Sequence, residues 1–288
     1  GRQSRVESST NINSFCRILK MQTRCIVLIA ITLFAVTASA DELKIVIETF
    51  RHGARAPISE AFEDPSGIMD YEVGLGNLTP TGMRMHYLLG TELRKRFVDD
   101  TGFLSARFDQ SEIYVRSTDT NRTIQSVESQ LMGLFPLGTG PTLKNVAVAD
   151  LAVPPMTVRD LHRQQAMLGL DALPGQYQPV PVNTIPRLDD FMLSSWAGGC
   201  ARIQQLKNVA LQTDATKAYL EEHVYPLLLE LSQHTGISVE QLKDPQVMVN
   251  AYSELNCGYF NGKPLPEGVD GAYVAKLQPI AVFFFYYY

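Results

Sequence analysis

The segment Arg51-His52-Gly53-Ala54-Arg55-Ala56-Pro57 sets two guanidinium groups around one imidazole. A neutral imidazole can attack phosphorus, and planar guanidinium donors match the oxygens of the anion being attacked. Gly53 allows close backbone approach to that anion, and Pro57 stiffens the exit of the loop. The chemistry these residues can do together is phosphoryl transfer, with His52 as nucleophile and Arg51 and Arg55 as anion clamps.

The elements that must hold such a loop are legible around it. Leu43 to Phe50 reads as a buried strand running into the histidine. Thr79-Pro80 reads as an N-cap with proline at the first helical position. Met85, Leu89, Leu93 and Phe97 then form an apolar stripe, with Arg84, Arg94 and Lys95 off it. A second strand, Glu112 to Arg116, ends at Ser117-Thr118, and a helix over 118–133 follows with Ile124, Val127 and Leu131 on one face. Two strands that each run into a loop and a helix imply a mainly parallel sheet, whose sites lie beyond the carboxyl ends of its strands. Arg51, His52, Arg55 and Arg116 all fall at such ends.

After Pro154-Pro155 the texture changes. Residues 155–190 are rich in loops, and Trp196 to about Leu255 is helical in pattern. Tyr219, Leu220, Val224, Leu227, Leu228 and Leu231 make a stripe that Pro226 should kink or split. Ser238 with Gln241 spells a capping box, and Asp244-Pro245 restarts a helix. The expected organisation is an α/β core over 41–154 and a mostly helical cap lobe over 155–288. The fold class is α/β, a mainly parallel central sheet flanked by helices with an inserted helical lobe, incomplete at the C-terminus. The closing aromatic run Phe283 to Tyr288 has no cap or polar ending, which fits either a chain cut off in mid-element or final residues that are a reading artefact.

The first methionine is Met21, and residues 1–20 read as upstream, non-native sequence. Residues 21–40 have a basic start, an apolar run from Ile26 to Val36 and a small-residue Ala38-Ser39-Ala40 site, the pattern of a secretory signal peptide. The remainder carries 20 Lys+Arg against 29 Asp+Glu, a net charge of −9. That acidity argues against nucleic acid or an anionic membrane as partner. Cys200 and Cys257 are the cysteines outside the leader, and on spacing alone they read equally as a bridge or as two buried thiols. Neither has a ligand-spaced neighbour, so no metal and no cofactor is expected.

The heptapeptide resembles the R-H-G-x-R-x-P signature of the histidine acid phosphatases, in the prostatic and lysosomal branch. Leu78-Thr79-Pro80-Thr81-Gly82-Met83 is similar to the family's helix after that loop. Val115-Arg116-Ser117-Thr118-Asp119-Thr120-Asn121-Arg122-Thr123 is similar to the segment that supplies its third phosphate-binding arginine. The resemblance implies a phosphomonoester hydrolase working at acid pH without metal, with His52 forming a phosphohistidine. Arg51, Arg55 and Arg116 would bind the phosphate, and Gly53, Thr118, Asp119 and Arg122 would support the site. It also implies a secreted or lysosomal protein, a homodimer at full length, and partners for Cys200 and Cys257 further along the chain.

The family's late His-Asp or His-Ala-Glu motif, which protonates the leaving alcohol, is absent. His86, His162, His223 and His234 are followed by Tyr87, Arg163, Val224 and Thr235. The chain therefore reads as a fragment with no proton donor and little activity. Two alternatives stand beside this. One is a non-catalytic phosphate-binding protein. The other is a phosphoglycerate mutase-like histidine phosphatase, against which Arg55, Pro57 and the leader all speak.

Overall fold

The computed structural model describes residues 43–62, 70–194 and 201–287. The chain falls into two compact units, residues 1–49 and 50–288. The signal-peptide segment, Trp196 and Cys200 lie outside the described residues. In the first unit the described residues form neither helix nor strand. The buried strand expected there is not found, because no ladder takes in its backbone and Ile45 and Ile47 are 71% and 81% exposed.

The second unit is rich in helices. Its two described strands, β1 (Arg116–Thr118) and β2 (Asn183–Ile185), pair in parallel with Arg116 opposite Asn183. The parallel sense is the expected one, but the strand begins where the sequence reading ended it. Glu112 to Val115 stay outside the ladder, and the Val115 carbonyl accepts from the Asn183 backbone at 3.1 Å.

α1 (Pro80–Arg94) starts as expected: Thr79 caps it, its hydroxyl accepting from Gly82 N at 3.3 Å. A single wide turn, Lys95–Asp99, extends it. α2 (Asn121–Leu134) packs closely along it. The face that α1 buries is Gly82, His86 and Gly90, whereas Met85 of the expected stripe is exposed. Small residues win because the two helices meet backbone to backbone. A Cβ on Gly90 would collide with the Gln130 carbonyl, and one on Gly133 with that of Tyr87. Val98, Leu134 and Phe135 form a small apolar cluster at the far end of this pair.

Two short helices, α3 (Val146–Leu151) and α4 (Leu161–Leu168), precede β2. α5 (Ala201–Leu211) and α6 (Asp214–Tyr219) lead through a wide turn at Leu220–Val224 into α7 (Tyr225–Thr235). Pro226 sits in the first turn of α7, where its missing N–H costs no helical bond, so the split expected at this proline is found. α8 (Val239–Leu242) opens with the capping box: Gln241 N donates to Ser238 Oγ at 3.3 Å, and Ser238 N to Gln241 Oε1 at 3.1 Å. Asp244 caps α9 (Pro245–Phe260), and α10 (Gly271–Tyr287) packs across it. Val224, Leu228, Leu231, Leu242, Met248, Leu255 and Leu277 form the largest apolar cluster among the described residues.

Candidate active site

The heptapeptide is pinned by backbone bonds before any side chain acts. Residues 54–57 run antiparallel to 76–79. Ala56 N donates to the Asn77 carbonyl at 2.9 Å, Thr79 N to Ala54 at 3.1 Å, and Gly76 N to Pro57 at 2.7 Å. Gly53 lies on the first turn of α1, and a Cβ there would meet the backbone of Gly82. Its glycine is thus required by close approach of a helix as much as of any ligand.

α2 supplies the second support. The buried Ser126 hydroxyl accepts from Gly53 N at 3.1 Å and donates to the Arg122 carbonyl at 2.7 Å. His86 of α1 donates from Nε2 to the Arg51 carbonyl at 3.1 Å, while its Nδ1 lies 3.0 Å from Oε1 of Gln130. The ring of Phe50 packs on His86 with centroids 5.2 Å apart. Both flanks of His52 are therefore fastened to the α1–α2 interface. Sequence reasoning missed Ser126, His86 and Gln130. A signal existed: Arg122, Ser126 and Gln130 recur at i, i+4, as do Gly82, His86 and Gly90, which marks one face on each helix.

His52 is partly buried, and its Nδ1 donates to the Gly53 carbonyl at 2.8 Å. That bond fixes the tautomer and makes Nε2 the lone-pair atom. Its pKa is lowered to about 4: burial lowers it most, the Gly53 bond opposes this, and the charges of Arg55, Arg122 and Arg51 add to the lowering. Arg55 is held from the helical lobe. Its Nη2 donates to Ser253 Oγ of α9 at 3.0 Å and its Nη1 to the Ala56 carbonyl at 2.8 Å, with Cys257 Sγ at 3.6 Å. Cys257 is an unbridged, buried thiol whose pKa burial pushes up, so it stays neutral beside that cation.

The structure separates the two candidate arginines of the 115–123 segment. Arg116 enters an ion pair with the buried Asp190, Nη2 to Oδ1 at 2.5 Å, with Met192 Sδ 3.6 Å from Nη1. Arg122, expected as a support, is the third guanidinium whose field reaches His52. Burial, then the charges of Arg55, Arg187 and Arg51, lower its own pKa. Its Nη1 donates to the Gly76 carbonyl at 3.4 Å, and its buried Nε–H has no hydrogen-bond partner among the described residues. A buried orphan donor on a cation can take an anion, and the buried Nε–H of Arg116 is unpartnered among the described residues in the same way. Thr118 Oγ1 and Thr123 Oγ1 are 2.8 Å apart at the start of α2. Asp119 is exposed and lines an open cleft of about 450 Å³ beside Arg122. Among the described residues no cluster of His, Cys, Asp or Glu could hold a metal ion.

Residues 42–256 match the family model of the histidine phosphatase superfamily (branch 2). Lysosomal acid phosphatase of Bos taurus is 30% identical over 248 residues, 85% of this chain and 50% of the relative. Prostatic acid phosphatase of Homo sapiens is 29% identical over 243 residues, 84% of this chain and 54% of the relative. The crystal structure of Klebsiella sp. ASR1 phytase shares the fold, with a TM-score of 0.54 at 18% identity, over 82% of this chain and 57% of that one. The chain spans about half the length of the curated relatives it matches.

Proposed function

Because the chain belongs to branch 2 of the histidine phosphatase superfamily, we propose that it is an acid phosphatase, a phosphomonoester hydrolase working through a phosphohistidine on His52. The observation that carries this is a partly buried histidine whose Nδ1 is bonded to the Gly53 carbonyl, leaving Nε2 as the lone-pair atom within the field of Arg51, Arg55 and Arg122. An ordinary histidine, with a pKa near 6.5, is mostly cationic at about pH 5 and cannot attack. His52, lowered to about 4, keeps its lone pair there.

In the proposed reaction the ester phosphate rests on Arg51, Arg55 and Arg122. His52 Nε2 bonds to phosphorus as the ester P–O bond breaks, and the leaving oxygen takes the electron pair. Water then attacks phosphorus, the N–P bond breaks and inorganic phosphate departs. The cations contribute positioning and neutralise charge on the equatorial oxygens, which is most of what phosphoryl transfer needs. Arg122 is assigned the role that sequence reasoning gave to Arg116 on two supports, the field it exerts at His52 and the engagement of Arg116 Nη2 by Asp190; a buried, unpartnered Nε–H is common to both arginines. The leader pattern and the names of the relatives support a lysosomal or secreted location.

The test is phosphate trapping. p-Nitrophenyl phosphate has a leaving group that needs little protonation, so phosphohistidine formation can be read independently of a proton donor. Mixing at pH 5 followed by alkaline denaturation and mass spectrometry should find a phosphate on the His52 peptide, absent in His52→Ala. A label that persists in that variant would refute the nucleophile. Binding of inorganic phosphate with no label on the native chain would favour a non-catalytic phosphate binder. The pH basis has its own readout: the ligand-free His52 imidazole should titrate near pH 4 by NMR. A midpoint near 6.5 would remove the reason for an acid optimum.

A further inference from the structure

Ser253, Cys257 and Asn261 recur at i, i+4 and i+8 along and just past the end of α9, and so share one face. All three meet the same residue of the heptapeptide. Ser253 Oγ and Cys257 Sγ take the Arg55 guanidinium at 3.0 and 3.6 Å. Asn261 reaches the backbone instead, donating from Nδ2 to the Arg55 carbonyl at 3.3 Å. The antiparallel bridge explains why that carbonyl is offered to α9. Ala54 and Ala56 bond to Thr79 and Asn77, so Arg55, between them, points its own carbonyl to the opposite edge.

Asn261 holds its place because its own backbone is fixed. Gly262 takes the left-handed conformation, φ 64°, that ends α9. Gly262 N donates to the Tyr259 carbonyl at 3.2 Å and Lys263 N to the Gly258 carbonyl at 2.9 Å, the paired bonds of a Schellman ending. Nδ2 of Asn261 also donates to the Cys257 carbonyl at 2.7 Å. Both oxygens it faces are backbone acceptors, which sets the amide with its nitrogen toward them. A partly buried amide bonded twice keeps little rotamer freedom.

We propose that Asn261 is a positioning residue for phosphate binding and acts through Arg55. Ser253 holds the tip of the Arg55 side chain, and Asn261 holds the backbone from which that side chain springs. A guanidinium meets phosphate oxygens with good geometry only when both its tip and its root are fixed. The inference rests on the reading of Arg55 as a phosphate clamp and deepens it: the end of α9 helps to set where that cation stands.

Isothermal titration of inorganic phosphate into the full chain at about pH 6 tests this, with the phosphate dissociation constant as readout. Asn261→Ala should weaken binding about two- to tenfold, the range of one lost neutral hydrogen bond. Asn261→Asp keeps the volume but turns a carboxylate on two carbonyl oxygens, and should weaken binding at least as much. Its deficit against the parent should shrink toward about pH 4, where a protonated carboxyl donates as the amide does. This variant carries the test if the alanine variant does not fold. In an Arg55→Gln background neither change should cost phosphate binding anything further, because the group that Asn261 positions is gone. A role confined to folding would cost the same in both backgrounds. Parental affinity in the Asn261 variants, or an equal loss with and without the Arg55 guanidinium, would overturn the assignment. If the native chain binds no phosphate, or Arg55→Gln binds it as the parent does, the clamp itself is refuted, and the role of Asn261 with it.

Discussion

The α1–α2 pair and the cluster of α7, α9 and α10 bury their surfaces by opposite means. Between α1 and α2 the contact is glycine on backbone, at Gly90 and Gly133, with His86 and Gln130 making the side-chain bond. In the other region Leu228, Leu231, Leu255 and Leu277 interlock, with Glu254 and Thr235 the buried polar side chains of the same helices. The first arrangement holds little apolar surface but fixes backbone positions closely, which is what Arg51, His52 and Gly53 require. The second is where most apolar burial lies, and it meets the site at its edge, through Ser253, Cys257 and Asn261 on Arg55. Position near the nucleophile thus comes from close approach and hydrogen bonds, and stability comes from elsewhere.

Substitutions in the two regions should therefore fail differently. Gly90→Val, which forces α1 off α2, is the most damaging: a stability loss of about 4 kcal/mol or more by urea unfolding, with phosphate binding lost as well. A mild effect there would mean that the glycine contact is not what sets the helix spacing. Leu231→Ala in the apolar cluster should cost about 2–5 kcal/mol through its cavity. Yet the folded fraction should bind inorganic phosphate as the parent does, because the residue lies apart from the site. A matching drop in affinity would join the two regions more tightly than the comparison allows. Ser253→Ala sits at their junction and removes one acceptor from a charged donor, a change of about 1 kcal/mol. It should weaken phosphate binding several-fold and barely move the unfolding midpoint. The reverse pattern would place Ser253 in the core rather than with the site.

Local features were legible because their causes are local. The Thr79 cap, the capping box at Ser238, the Asp244-Pro245 restart and the break at Pro226 each depend on a few neighbouring residues. The apolar stripe of α1 misled because hydrophobicity alone ranks Met85 above Gly90, whereas a backbone-to-backbone interface selects the smallest side chain. The strand expected at 44–50 failed because alternating apolar residues favour a strand only where a ladder partner is supplied.

By itself the sequence determined the family and proposed the reacting group: a histidine between arginines, in a loop whose glycine and proline fix its shape, suits a phosphate. Tertiary structure decided the partners of the cations around it. Arg116 and Arg122 stand six positions apart in one motif, and no local rule assigns them different partners. Asp190, 74 residues from Arg116, pairs with it beside the turn after β2, while the charge of Arg122 acts on His52. A buried carboxylate must find its cation, and where it finds it is a property of the fold.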